Sequence, residues 1–347
     1  MHKPYQPGRN SMPHHPNTVT VLPKTTDRGA WIGQRRHGLG SSDASIIMGL
    51  SPWESPYSLW EQKTGRAALD PPVDHDTEEL REWGNRLEPV IRDATAEELG
   101  VTIIKPDEAW ANRERPWQRA NLDGLIPDTS TFCEFKNSTA WNADKWKGQI
   151  PDHAEIQVHH IGLVTGWRDA IVAGLIGGNH LSIHRITLNQ NILEMMQTAE
   201  DEFWRHVEDD TPPDVDWHER TRDALFTEWR QTRTTGSQEV DPDEARKWVE
   251  QAREAKEAED AAKRRRAEAM NHLLKMMGGH EQIATGDTVW ARVRHGQLDK
   301  RRFQDDHPDL WEQAQTMKPA VDTAWLKEHH PDLFRDYQHI TITIPTT

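Results

Sequence analysis

Apolar residues change their period several times along the chain, and each change predicts a different kind of structure. Up to about residue 25 there is no period at all; prolines stand at 4, 7, 13, 16 and 23, a composition that predicts a disordered tail. From Trp31 to Gly65 the pattern is helix, glycine-containing turn, helix, then Ser51-Pro52-Trp53 and a last helix. Ser42 and Asp43 stand where one of these helices would start, before Ala44, Ile46 and Ile47, and either can cap it. Over residues 78–99, Leu80, Trp83, Leu87, Ile91 and Ala94 share one helical stripe, and Gly100 supplies the stop. The period then shortens to that of strands at Val101–Lys105, Trp117–Leu122 and Thr131–Lys136, each bounded by Pro, Asp, Asn or Gly. A helix over 152–165, strands at Asp169–Leu175 and Leu181–Leu188, and a helix over 189–210 follow. Helix, three strands, helix, strand is an α/β arrangement.

Beyond Pro212-Pro213 the character changes. Pro242 to about Met277 reads as one long helix rich in Ala, Glu, Lys and Arg, with Arg264-Arg265-Arg266 inside it, solvated or coiled-coil-like. Gly278-Gly279 ends it, and a strand is expected around Thr288–Arg294. Then Asp299, Phe303 and His307-Pro308-Asp309-Leu310-Trp311 recur at equal spacing as Asp322, Leu326 and His330-Pro331-Asp332-Leu333-Phe334. Such a repeat predicts two similar helical pieces with a structural or docking role. The expected organisation is a tail over 1–25, an α/β domain over 26–235 and a mainly helical extension with a small α+β part over 236–347.

Composition narrows the function. Mean hydropathy is -0.88 and 29% of residues are charged; no apolar run approaches the roughly 18–20 residues that cross a bilayer. There is no secretory apolar segment, and the single cysteine, Cys133, excludes an internal disulfide and a cysteine-ligated metal site, so a cytoplasmic protein is expected. A net charge of -15 argues against generic coating of nucleic acid, so any DNA track must be a local patch. The 16 tryptophans are expected mostly as core or interface anchors.

The chemistry gathers around one strand. Asp123-Gly124 precedes a turn at Pro127-Asp128 and the strand Thr131–Lys136. Because side chains alternate, Glu134 and Lys136 share one face while Cys133 and Phe135 point into the other. Carboxylates of this kind bind Mg²⁺ together with water and phosphate oxygens, and a lysine beside them can orient water and offset developing negative charge, as phosphodiester hydrolysis needs. Glu88, on the shoulder of the apolar stripe of its helix, can look over the core edge toward the sheet. Gln157, on the helix after the strand, is suited to position a phosphate or a water. Arg35 and Ser42 offer a planar guanidinium and a hydroxyl at a helix start, the elements of an anion cradle.

In order along the chain, Arg35, Gly38-Leu39-Gly40-Ser41-Ser42-Asp43-Ala44, Gly49-Leu50-Ser51-Pro52-Trp53, Ser55-Pro56-Tyr57, Leu59-Trp60 and Lys63-Thr64-Gly65 resemble the opening signature of YqaJ-like viral recombinases, relatives of phage lambda exonuclease. Gly84-Asn85 with Glu88-Pro89, Asp123-Gly124 with Glu134 and Lys136, and Gln157-Val158 with Val164-Thr165-Gly166 resemble that family's helix glutamate, PD-(D/E)xK core and glutamine helix. Ile161 stands where relatives often carry tyrosine, and Leu122 rather than proline precedes the aspartate.

The resemblance implies a restriction-endonuclease-like fold, a mixed central sheet flanked by helices, with Mg²⁺ (Mn²⁺ as substitute) held by Asp123, Glu134 and the Phe135 carbonyl. It further implies Glu88 at a second metal, Lys136 acting on water, and Arg35 with Ser42 on a terminal 5′-phosphate. The implied activity is 5′→3′ exonuclease digestion of double-stranded DNA ends in phage-type recombination, by a homo-oligomer that serves a single-strand annealing protein. An endonuclease or repair nuclease of the same fold, and a DNA-end adaptor without catalysis, are the alternatives.

Overall fold

A computed structural model of the chain describes residues 18–22, 27–69, 75–293, 301, 305, 308–313 and 323–331. Val19–Val21 forms β1, followed by helices α1 (Arg28–Arg36), α2 (Ser41–Ile47), α3 (Pro56–Thr64) and the long α4 (His75–Leu99). Short strands β2 (Trp110–Asn112), β3 (Arg119–Ala120) and β4 (Gly124–Ile126) lead into β5 (Thr131–Ser138). A 3-10 segment, Ala140–Trp146, then precedes α5 (Asp152–Thr165), β6 (Asp169–Ile176), β7 (His180–Thr187), α6 (Gln190–Glu208) and α7 (Glu219–Thr232).

The central sheet runs β4-β5-β6-β7 and is mixed. β5 and β6 pair in parallel over their whole length, from Thr131 opposite Asp169 to Ser138 opposite Ile176. Parallel neighbours need a crossover, and α5 supplies it. The two faces of the sheet follow the alternation of its strands. Phe132, Ala170 and Val172 pack with Ala154, Val158 and Ile161 of α5. Cys133, Phe135, Ile171 and Ala173 pack with Ile91 of α4. A mixed central sheet flanked by helices is the arrangement that the resemblance implies. A second sheet, β1-β2-β3, lies in the same unit, and Leu39, Leu59, Trp60 and Phe203 join α2, α3 and α6 in a further cluster.

Several expectations are corrected. The composition of residues 1–25 predicts a disordered tail, yet Val19–Val21 forms β1 and pairs antiparallel with β2, because Val19 buries its side chain in the main core and Thr18 donates a 2.5 Å hydrogen bond to the Thr165 carbonyl. The rest of residues 1–17 lies outside the described residues. Val101–Lys105 is not a strand; only Ile104 bridges, to Leu125. The stripe on α4 is covered only at its C-terminal end: Ile91 is buried, whereas Leu80 and Trp83 are exposed. Among the described residues, Trp60, Trp110, Trp146 and Trp167 are core anchors, but Trp53, Trp83, Trp141, Trp217, Trp229, Trp248 and Trp290 are exposed.

The chain divides into units Met1–Gln231 and Thr232–Thr347. In the second, α8 (Pro242–Met277) starts at Asp241, whose carboxylate accepts the Asp243 and Glu244 N–H groups, and stops at Gly278. A hairpin of β8 (Gln282–Thr285) and β9 (Thr288–Arg292) follows. Pro308 opens the helix Pro308–Gln313, as the first copy of the repeat implies; Asp332, Leu333 and Phe334 of the second copy lie outside the described residues. Among the described residues no helix is long and apolar enough to cross a membrane.

Candidate active site

The hairpin of β4 and β5 determines where Asp123 goes. Its ladder pairs Ile126 with Thr131 and Gly124 with Cys133, so Asp123 stands one step further, beside Glu134. Gly124 is required there: a Cβ at that position would come within 2.7 Å of Ile103. With β4 pairing ended, the Asp123 carboxylate takes over as the acceptor, receiving the Phe135 N–H at 3.0 Å. In an extended strand the N–H and C=O of one residue emerge on the same edge, so the Phe135 carbonyl shares the Asp123 side of β5.

Glu134 and Lys136 lie on the α5 face, as alternation requires. Glu134 is buried, and Lys136 Nζ donates to its Oε1 at 2.6 Å and to Gln157 Oε1 at 2.5 Å. Burial alone would pull the Lys136 ammonium down, but the charge of Glu134, with Asp123 and Glu88 further off, holds it above its ordinary value. Asp123 is raised too, which for an acid disfavours the charged form. Burial and then the charges of Glu134 and Glu88 push its carboxyl up to about 8, against the opposing effects of the Phe135 N–H and Lys136. Glu88 is within reach of this field but hydrogen-bonds to Lys105, which the sequence reading missed. Lys105 closes the stretch read as a strand, where its charge alone gave no sign of a partner on α4.

Among the described residues no three His, Cys, Asp or Glu side chains converge as a ready-made metal cage. Glu134 is turned to Lys136 and Glu88 to Lys105. A cage of three is more than Mg²⁺ asks for, since it usually takes one or two carboxylates and keeps several waters. The hard oxygen donors present fit such an ion. Asp123 resists ionising because it is buried and faces the charges of Glu134 and Glu88, and a divalent cation would offset both effects. Cys133 cannot contribute; it faces the α4 side and burial pushes its thiol up to about 12.

Arg35 and Ser42 occupy α1 and α2. Gly40, not Ser42 or Asp43, is the N-cap of α2; Ser42 is exposed in the first turn, and the Asp43 carboxylate reaches back to the Gly40 N–H at 3.0 Å. Asp43 is buried and held by Lys63 Nζ at 2.7 Å, with the Arg35 guanidinium at 3.7 Å. Burial would raise its carboxyl, but Lys63 and Arg35 hold it below its usual range. Lys63 also donates to the Arg35 and Gly38 carbonyls at 2.8 Å each, so it clamps the turn between α1 and α2. A buried lysine has no signature in the sequence beyond its type. α2 in turn packs on α5, with Ala44 against Ile156, and Ser45 Oγ donates to the His153 carbonyl at 3.4 Å. The Arg35–Ser42 segment therefore borders the helix that carries Gln157. Ile161 is fully buried in the core and contributes nothing polar.

A mixed sheet flanked by helices, with an aspartate, a glutamate and a lysine on or beside one of its two parallel strands, defines an α/β protein. Residues 30–168 match the family model of the YqaJ-like viral recombinase domain. Over 303 residues it is 29% identical to the uncharacterized protein YqaJ of Bacillus subtilis (strain 168), spanning 85% of this chain and 93% of the relative. The crystal structure of an alkaline exonuclease from Laribacter hongkongensis aligns at 15% identity with a TM-score of 0.45, covering 59% of this chain and 100% of that one. A phage related exonuclease from Haemophilus somnus 129PT aligns at 11% identity with a TM-score of 0.34, covering 50% and 96%.

Proposed function

We propose that the chain is a divalent-metal-dependent DNA exonuclease that digests duplex ends, 5′→3′, in phage-type recombination. The observation that carries this reading is the Glu134–Lys136–Gln157 hydrogen-bonded chain on the central strand and its crossover helix, with Asp123 beside it on the Phe135 N–H. Asp123, Glu134 and the Phe135 carbonyl would hold the ion, and Glu88, released from Lys105, would support a second. When bound, Mg²⁺ supplies charge neutralisation at the scissile phosphate and activation of water. Lys136, fixed by Glu134 and Gln157, is poised to orient that water and offset developing charge. Arg35 and the exposed Ser42 hydroxyl would receive the terminal 5′-phosphate. The 3′ overhang left behind would pass to a single-strand annealing protein.

The test uses a linear duplex and a covalently closed circle, each with Mg²⁺ or a chelator. Release of mononucleotides from the linear substrate alone, first from a 5′ label, supports the reading. Cutting of the circle would make the enzyme an endonuclease, and binding of ends without digestion would make it an adaptor.

A further inference from the structure

β5 continues directly into the 3-10 segment Ala140–Trp146, whose two tryptophans have opposite fates. Trp146 is buried in the main core, and its ring fills the space over Gly174 of β6, where an added Cβ would come within 2.5 Å of it. At the other end Ala140 packs on Gly177, 3.3 Å from the Cβ position there, and the Asn142 N–H donates to the Thr139 carbonyl at 3.0 Å. Trp141 thus rides on an element fastened at both ends, yet it is 95% exposed. A large aromatic held rigidly in water gains nothing for folding and offers a flat apolar face at little entropic cost of ordering.

The surroundings say what would cover it. Lys145 is exposed and makes no ion pair among the described residues, whereas neighbouring Asp144 is occupied by Lys147 at 2.6 Å. Lys145 also lies near enough to His153, at the start of α5, to join burial and Lys136 in holding that imidazole below its ordinary range. At about 2 Å of rise per residue, the 3-10 segment sets Trp141 roughly 8 Å along its axis from Lys145. Among the described residues an indole and an ammonium without partners therefore stand on the segment that directly follows the strand of Lys136, and the ammonium shares the surroundings of His153 with Lys136.

Taking the nuclease reading above as its basis, we propose that Trp141 is the stacking platform for an unpaired base at the DNA end, with Lys145 on an adjoining phosphate. A base supplies the planar π-face and its backbone the negative charge. Such stacking tolerates any sequence. A frayed terminal nucleotide would be held beside the site, while a fully paired internal segment would not reach the indole.

The experiment is equilibrium binding by the full chain, in chelator so that nothing is cut. Fluorescence anisotropy compares a labelled duplex with a mismatched, frayed end and the same duplex with its ends closed by hairpins. Trp141→Ala should weaken binding of the frayed duplex about tenfold and leave the closed one unchanged, and Trp141→Phe should restore most of the loss. Trp217→Ala, which removes an indole that is also 90% exposed but lies before α7, should change neither. Wild-type affinity of Trp141→Ala for the frayed duplex, or equal loss on both duplexes, overturns the proposal; the former result would leave Trp141 to a protein surface. Wild-type protein that binds neither duplex would overturn the nuclease reading itself, and this inference with it.

Discussion

Lys136 and Gln157 meet at 2.5 Å, so the lysine of the central strand is aimed by the helix that crosses over it. Gln157 makes no ion pair and cannot replace the ammonium; it directs it. Gln157→Ala should lower kcat about tenfold with KM little changed, because only the position of the ammonium is lost. Lys136→Ala should cost at least about a hundredfold, as loss of a charged group acting on the transition state does. Steady-state rates on a linear duplex measure both, and similar small losses in the two variants would remove Lys136 from the chemistry.

The carboxyl of Asp123, pushed up to about 8 in the fold, gives a signed dependence on pH. Its folded value lies above its unfolded one, near 3.9, so ionisation costs stability: the metal-free protein should lose stability as pH rises from about 4 toward 8. Asp123→Asn should flatten this slope in thermal melts run with chelator. Divalent ions must displace the same proton, so their affinity should rise with pH up to about 8 and then level, measured by calorimetry with proton release.

His160 and Glu200 form a buried pair at 2.8 Å that joins α5 to α6, while His160 Nε2 faces the Arg119 carbonyl at 3.0 Å and Gln118 donates to Glu200 at 2.8 Å. Burial would pull the imidazole down, but Glu200 and the carbonyl hold it above its ordinary value. The sign is that of a raised base: the pair's stabilisation is complete below about pH 6.5 and is lost as pH rises through the folded value. Glu200→Ala should cost about 3–5 kcal/mol, because it leaves a buried cation unpaired. Urea melts at several pH values check this, best in an Asp123→Asn background, since both groups act in the same direction.

Arg35 tests the end-sensing role. Its guanidinium and Lys63 both neutralise Asp43, which removes the repulsion that carboxylate would present to a phosphate. Arg35→Ala should slow digestion of a 5′-phosphorylated duplex roughly ten- to a hundredfold, the value of a charge-assisted contact, and barely alter a 5′-hydroxyl duplex. Equal slowing on both ends would make Arg35 a general or structural contact.

Glu134, Lys136 and their opposite neighbours Cys133 and Phe135 were legible because a strand has a strict period of two, and the two sheet faces obey it. Gln157 was legible as a position, though its partner was not. β2 and β4 escaped the pattern because each has three residues, too few to display alternation, and β1 because proline-rich surroundings mask its valines. Leu80 and Trp83 misled for the converse reason: helical period shows that residues share a face, not that anything covers it. Lys63 and Lys105 act through partners on other elements, a relation fixed only when the chain is folded.

The parallel pairing of β5 with β6 also governs when the site can exist. Glu134 pairs with Val172, and the helix carrying Gln157 lies between them in sequence, so a ribosome delivers the acidic residues and Lys136 well before their support. At about 5–20 residues per second the interval is roughly 2–8 s. During it the nascent chain displays an edge of β5 with no neighbour, open to mispairing, and only the emergence of β6 closes both the sheet and the reaction centre. Synthesis itself therefore delays the appearance of a competent site until the crossover is complete.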